Sequence, residues 1–434
     1  MYFLYTVLLS LALLLSMPWW LLQMLRLGKY RAGLAERFGC VPQRLVRGAG
    51  TLAWVHAVSV GEVLAVSHLV QELRAGGQRV MVSTTTQTGQ RLARERFGAE
   101  NVFYFPVDFP FAIAAYLRRL RPDVVVLAET EFWPMFLRMA ARSGACVAVV
   151  NARISDRSLP RYRHFCRLLA RVLANVDLFL AQSEEDARRL MTIGAIPERV
   201  QVSGNLKFDV APPPAAPFVA SLTAALRRSK AGPVIVAGST LEGEELMVFS
   251  AFRQVLVRWP QARLLLAPRH KERFATVAAL LETSGFAYRR RSTMTEAVVE
   301  GWSVLLLDTI GELASAYSLA DVAFVGGSLV PRGGHNILEP ANFGVPIVVG
   351  RHTENFRDIM VLFRRAGALV ECDGAMLGDE FCELLADDDL RRNLGERARN
   401  AVATQRGATE RTLRALRELL KSRTESLKEK EARP

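Results

Sequence analysis

The sequence predicts an α/β protein of two domains, each a parallel β-sheet covered by helices on both faces, with an apolar helix in front of them. Three features carry this reading. Short, near-continuous apolar runs alternate with amphipathic stretches, as expected for strands buried on both faces. The proline-rich stretch "VAPPPAAP" at 210–217 interrupts the alternation and reads as a stiff connector. The alternation then resumes for a second series. With 434 residues, 50% of them hydrophobic, the chain is long enough for two cores and too apolar for disorder.

Residues 2–25 carry no charge, and Arg26, Lys29 and Arg31 come immediately after. Such a stretch is long enough to span a bilayer. It shows neither the basic start nor the small-residue cleavage site of a secretory signal. The basic flank places the domain after it on the cytoplasmic side. Trp19 and Trp20 suit an interface, and Pro18 also fits a helix lying in one leaflet. Segment 1–28 is therefore expected to be an uncleaved membrane anchor.

Expected strands of the first domain, 29–210, lie at 52–58, 80–83, 124–128, 145–150, 178–181 and 200–203, with helices such as 62–74 and 186–193 between them. After the linker, 211–217, the second domain is expected over 218–425, with strands at 234–237, 263–267, 304–307, 322–325 and 346–349. The apolar-poor stretch 426–434 reads as a charged, frayed tail. Ligands of such sheets bind beyond the carboxyl ends of the strands, so the site is expected in a cleft that closes about the linker.

A net charge of +13 and a pI near 10.0 call for a polyanionic partner: nucleic acid, an acidic membrane surface or a phosphorylated substrate. The basic residues are dispersed and the aromatics sit mostly in apolar runs, which speaks against nucleic acid. Five scattered cysteines without a CxxC pair read as reduced thiols. The sequence has no GxxxxGK[ST] loop, no GxGxxG after a strand and no HExxH, so a P-loop kinase and a dinucleotide oxidoreductase are disfavoured and no metal is required.

The chemistry gathers after the strands. In "HAVSVGE", Ser59-x-x-Glu62 reads two ways, as a helix-capping box or as a catalytic base at a strand end. In "ETEFWP", Glu129 and Glu131 stand beside Trp133, where two acids need partners. Lys207 lies between Leu206 and Phe208 in "GNLKFD", as a snorkelling lysine or a functional cation. "GSTLEGEE" offers a second capping box, Ser239-x-x-Glu242, or free N–H groups for a phosphate. Arg269 and His270 in "PRHKERF" put cations at a helix start, the wrong sign for its dipole unless an anion binds. Thr309-x-x-Glu312 in "DTIGEL" is a third box. The richest stretch is "GGSLVPRGGHNILEPANFGVP". Its glycines allow close backbone approach, and His335, Asn336 and Glu339 supply polar groups, the acid suited to a ribose diol.

Taken in order, "HAVSVGE", "ETEFWP", "NARIS", "GNLKFD", "GSTLEGEE", "PRHKERF", "DTIGEL" and "GGSLVPRGGHNILEPA" resemble the 3-deoxy-D-manno-octulosonic acid (Kdo) transferases of lipopolysaccharide synthesis, from the N-terminal segment to about Asn400. The resemblance implies a GT-B fold: two Rossmann-like domains whose parallel sheets face a central cleft, with an anchor in the inner membrane. It implies a metal-independent, cofactor-free, inverting transfer of Kdo from CMP-Kdo to a 6'-hydroxyl of lipid IVA at an anionic inner membrane surface, without nucleic acid. Glu62 matches the family's general base, and Glu131 and Lys207 match positions that stabilise the transition state. Pro268, Arg269, Gly311, Glu312, Leu313, Asn336, Ile337, Leu338 and Glu339 match the CMP-binding positions. Leu241, Lys271 and Arg351 depart from the family pattern, outside those positions. The alternative is another GT-B glycosyltransferase, or a nucleotide-sugar epimerase of that fold, with a different donor. Basic residues in 26–37 and 157–171 are expected to meet acceptor phosphates or the membrane surface.

Overall fold

A computed structural model describes the chain except residues 28–31, 46–47, 213, 215, 230, 296–298 and 432–434. It divides into two compact units, Met1–Val210 with Arg406–Pro434, and Ala211–Gln405.

The first unit holds β1 (Leu52–His56), β2 (Arg79–Thr84), β3 (Val102–Tyr104), β4 (Val124–Ala128), β5 (Cys146–Ala152), β6 (Leu178–Ala181) and β7 (Val200–Val202). They form one parallel sheet in the order β3-β2-β1-β4-β5-β6-β7. The second unit holds β8 (Val234–Thr240), β9 (Arg263–Pro268), β10 (Tyr288–Arg290), β11 (Val304–Leu306), β12 (Val322–Val325), β13 (Ile347–Val349) and β14 (Val370–Glu371), in the parallel order β10-β11-β9-β8-β12-β13-β14. Each sheet starts at its centre and grows outward both ways. Strand order therefore reverses between β1 and β4, and between β8 and β12, the points where open α/β sheets hold their ligands.

Alternation along β1 feeds two cores. Trp54 enters a cluster with Phe103, Tyr116 and Phe136 on one face, while Ala53 and Val55 join Val66, Leu69 and Val82 on the other. Aspartates brace the two central strand pairs in the same way. Asp123, just before β4, accepts the Leu52 N–H at the start of β1 at 2.7 Å, and Asp321, just before β12, accepts the Val234 N–H at the start of β8 at 2.8 Å.

The structure corrects the expected second domain, 218–425. Its final stretch belongs to the first unit. The helix Ala408–Glu431 packs Leu413 and Leu416 into the core formed by Val55, Val66 and Leu69. Its start is fastened by the last residue of "GNLKFD": Asp209 accepts the Gly407 N–H at 2.7 Å and the Thr409 N–H at 2.5 Å. Arg411 adds a bond to the Ser203 carbonyl at 2.8 Å. The expected charged tail continues this helix to Glu431, and 432–434 lie outside the described residues. Strands β3, β10 and β14, which the sequence reading did not anticipate, are short; β3 and β10 close one edge of each sheet and β14 the far edge of the second. Of the five cysteines, Cys146, Cys372 and Cys382 are buried thiols, and none is bonded to another.

The Asp209 cap makes a measurable prediction. Asp209→Ala leaves two helix N–H groups without a partner and should cost about 1–2 kcal/mol of stability, with Asp209→Asn recovering part of it. Chemical denaturation of the full chain checks this.

Candidate functional site

At the carboxyl ends of β1 and β4 the first unit gathers three carboxylates. Glu62 is the third residue of the helix Val60–Ala75, whose first residue comes directly after Ser59. The reciprocal capping box does not form. The Ser59 hydroxyl, instead of capping the backbone, donates to Glu62 Oε1 at 3.0 Å, and Glu62 Oε2 accepts the Val58 N–H at 2.8 Å. The Glu62 carboxyl is pushed up to about 7, chiefly by burial and further by the charges of Glu129 and Glu131. The two hydrogen bonds oppose that rise without cancelling it.

Glu131 lies just after β4 and accepts the Trp133 indole N–H at 2.7 Å. Burial raises its carboxyl, and the charge of Glu129 raises it further. Glu129 sits in the left-handed region, with φ +57°, and pairs with Lys207 Nζ at 3.1 Å. Lys207 is thus brought to the acidic cluster through Glu129, a partner that spacing alone does not reveal.

Lys207 is placed by a network of buried amides. Asn151, at φ +53° in the irregular end of β5, accepts the Leu206 N–H through Oδ1 at 3.0 Å. Gln182 donates to the Asn151 carbonyl at 2.9 Å and accepts from Asn205 Nδ2 at 2.9 Å. Asn205 Oδ1 accepts the Lys207 N–H at 3.0 Å. "NARIS" and "GNLKFD" are therefore one structure: the first holds the short turn on which the second presents Lys207.

In the second unit, "GSTLEGEE" lies at the end of β8 and the glycine-rich stretch at the end of β12. The expected Ser239-x-x-Glu242 box is not formed, because the helix begins only at Glu244, after Gly243 at φ +95°. The organising acid is Glu244, which is fully buried. Its Oε2 accepts the Leu241 and Gly327 N–H groups at 2.8 and 2.7 Å, and its Oε1 those of Ser328 and Leu329 at 3.0 and 2.9 Å. One carboxylate clamps both loops at the strand reversal. The N–H groups of 327–329 are thereby occupied, so the glycine stretch serves loop geometry there and does not offer those groups to a ligand.

Pro268 is buried at the end of β9, opposite Thr240 across a bulge at Ser239, whose φ is +57°. The Arg269 N–H donates to the Thr240 carbonyl at 3.0 Å, leaving an exposed guanidinium whose charge acts on Glu339, Tyr317 and His335. Burial lowers His335 to about 4, and Arg269 and His270 add to that, so its imidazole is neutral at physiological pH. Its Nε2 is buried without a hydrogen-bond partner, beside Gly327. Asn336 donates to Glu339 Oε1 at 3.2 Å and accepts the Leu338 N–H at 3.2 Å. Burial raises the Glu339 carboxyl, while Asn336 and Arg269 oppose the rise. Ile337 and Leu338 are core side chains, available to a ligand through backbone only.

Glu312 is held by Arg291 at 2.9 Å and by the Thr309 hydroxyl, so the third box is a side-chain lock ahead of the helix Leu313–Ala316. Gly311 is exposed at φ +96°, next to Ile310, which is 68% exposed. Tyr317 and Glu244 escaped the sequence reading; the repeated acid in "GEE" was the one available signal for Glu244. Among the described residues no group of three or more His, Cys, Asp or Glu is placed to hold a metal ion.

Two substitutions probe this geometry. A carboxyl whose folded-state value lies above its ordinary one costs stability when ionised, so Glu62 should lower stability progressively as pH rises from about 4.5 to about 7. Glu62→Gln should then raise Tm at pH 8 and change it little at pH 4, as calorimetry at both pH values would report. Glu244→Gln keeps one acceptor oxygen in place of two and strands two loop N–H groups. It should cost at least about 2 kcal/mol of stability, measured by chemical denaturation.

A family profile for 3-deoxy-D-manno-octulosonic-acid transferase (kdotransferase) matches residues 32–210. The 3-deoxy-D-manno-octulosonic acid transferase of Bordetella pertussis is 38% identical over 91% of this chain and 93% of its own. That of Haemophilus influenzae is 34% identical over 90% and 92%. Among solved structures, the S. aureus MnaA–UDP complex superposes over 86% of this chain and 97% of its own, with TM-score 0.57 at 16% identity. UDP-GlcNAc 2-epimerase from Neisseria meningitidis does so over 84% and 100%, with TM-score 0.54 at 13% identity. At such identity these structures speak for the two-unit Rossmann-like fold alone, whereas the sequence relatives match almost end to end. On that ground the chain belongs to the 3-deoxy-D-manno-octulosonic acid transferases.

Proposed function

We propose that the protein transfers Kdo from CMP-Kdo to the 6'-hydroxyl of lipid IVA with inversion and without a metal, and that Glu62 is the general base. The observation that carries this reading, beside family membership, is the Glu62 carboxyl held near 7 at the end of β1. A base is most effective when its pKa lies near the working pH. Glu62 takes the proton of the acceptor hydroxyl as that oxygen attacks the anomeric carbon of Kdo. The bond from that carbon to the phosphate oxygen breaks on the opposite side, and CMP leaves with the electron pair.

The other residues take roles consistent with their surroundings. The first unit binds the acceptor, with Glu131 and the Glu129-paired Lys207 ordering charge around the reacting centre. The second unit binds CMP. Arg269, exposed at the end of β9, meets the phosphate as a cation that offsets the leaving group's charge. Glu339 accepts from the ribose hydroxyls, and Pro268, Gly311, Glu312, Leu313, Asn336, Ile337 and Leu338 contribute through backbone and shape. Of the basic stretches proposed to meet lipid phosphates, 157–171 keeps Arg157, Arg161, Arg163, Arg167 and Arg171 exposed. Arg37 is not available, since it bonds the Thr85 carbonyl and stacks on Tyr104 at 4.5 Å. Lys29 and Arg31 lie outside the described residues.

The test is a transfer assay with CMP-Kdo and lipid IVA, the lipid product weighed by mass spectrometry. Wild type should add Kdo, with kcat/KM rising through about pH 7 as Glu62 loses its proton. Glu62→Gln should bind CMP normally and transfer at least about 100-fold more slowly. Near-wild-type transfer by the variant would move the base elsewhere, with Glu131 next. Binding of UDP in preference to CMP would favour an enzyme with a different donor.

A further inference from the structure

The start of the N-terminal helix Tyr2–Leu27 is bonded into the first unit. The Tyr5 hydroxyl donates to Asp108 Oδ2 at 2.8 Å. Asp108 is 3% exposed, and its carboxylate also accepts the Met135 and Phe136 N–H groups at 3.0 and 2.7 Å, capping the helix Pro134–Arg142. Asn175 donates to the Tyr2 hydroxyl at 3.0 Å, which donates in turn to the Arg171 carbonyl at 3.3 Å. The Arg138 guanidinium lies 4.2 Å from the centre of the Tyr2 ring.

Beyond its first turns the same helix is bare hydrocarbon on all sides. Phe3 is 84% exposed and Leu15 83%, and Tyr2–Trp20 is apolar enough and long enough to cross a membrane. Beyond the helix, the chain rejoins the same unit by the turn Leu34–Arg37, where Arg37 reaches the Thr85 carbonyl. The start of the helix is therefore bonded to the same unit that the chain enters from Leu34 on. A folded unit stands on one side of a bilayer, and a helix that starts bonded to it and leads the chain back into it cannot deliver its far end to the other side.

We infer that this helix does not cross the membrane but is held in the leaflet nearest the first unit, its bare apolar side chains among the acyl chains. Its partner is a single leaflet of anionic phospholipid. Charge and shape agree on the adjoining surface. Arg157, Arg161, Arg163, Arg167 and Arg171 are exposed there beside Phe165, 57% exposed, and Leu168, 49% exposed. Arg171 itself supplies the carbonyl that holds Tyr2, so this basic, partly apolar face is continuous with the docked helix. Asp108 gives the arrangement a function: it anchors the membrane helix through Tyr5 and fixes the helix that comes after Glu131 and Trp133. The acidic site is thereby held at the surface from which a lipid acceptor would be drawn. The inference rests on the membrane association of the proposed function, but not on the identity of the donor or the base.

The experiment uses the full chain in its own membrane, with one epitope tag before Met1 and another after Pro434. Protease is added to spheroplasts and, separately, to inverted vesicles. Both tags should be lost in the same preparation and both protected in the other. Loss of the two tags in opposite preparations would overturn the inference, because the helix would then cross, while leaving the membrane-associated transferase intact. Recovery of the chain in the soluble fraction after low-salt lysis would overturn the leaflet placement and the membrane-surface reading together.

Discussion

Everything distinctive in this molecule comes from a parallel sheet begun at its centre. Such a sheet must grow in two directions, and where it reverses, two adjacent strands send their connections to opposite faces. The gap left between those connections is where side chains of sequence-distant loops can meet. Here the reversal occurs twice, at β1/β4 and β8/β12, and in both places an aspartate before the second strand pins the first. The acidic cluster sits at one reversal and the glycine-rich loop at the other.

The two reversals use a glutamate in opposite ways. Glu244 is buried with four backbone N–H groups on its two oxygens, and a carboxylate so completely satisfied is architecture. Glu62 is less buried, has two donors and stands near two other acids, and its charge is left incompletely compensated. Residual frustration of that kind is what chemistry requires and what stability would remove. Both come after a strand and a glycine in the sequence, and no local pattern separates them.

Sequence and structure part company at such pairs. Buried central strands were legible because they are unbroken apolar runs. The edge strand β10, "YRR", was not, since a short strand paired on one side needs no apolar signature. Individual candidate residues stood out through their motifs, and the chain's place in its family was legible through their order. Their partnerships were not. The Lys207–Glu129 pair spans 78 positions, and the Asp209 cap on Thr409 spans 200. Ser239-x-x-Glu242 had the spacing of a capping box, but the helix it was meant to open begins later, after a left-handed glycine. Spacing states which contacts are possible, and the three-dimensional competition for each donor decides which are made.

The return of the last helix to the first unit bears on how the molecule comes into being. The second unit is an uninterrupted stretch of chain, and it interrupts the first. During synthesis Ala211–Gln405 can complete its own core as soon as it leaves the ribosome. The first unit, begun earlier, must wait for Leu413 and Leu416 before the covering of one face of its sheet is complete. The half that starts first finishes last, and until then the part of its apolar face that the last helix covers is open to a chaperone.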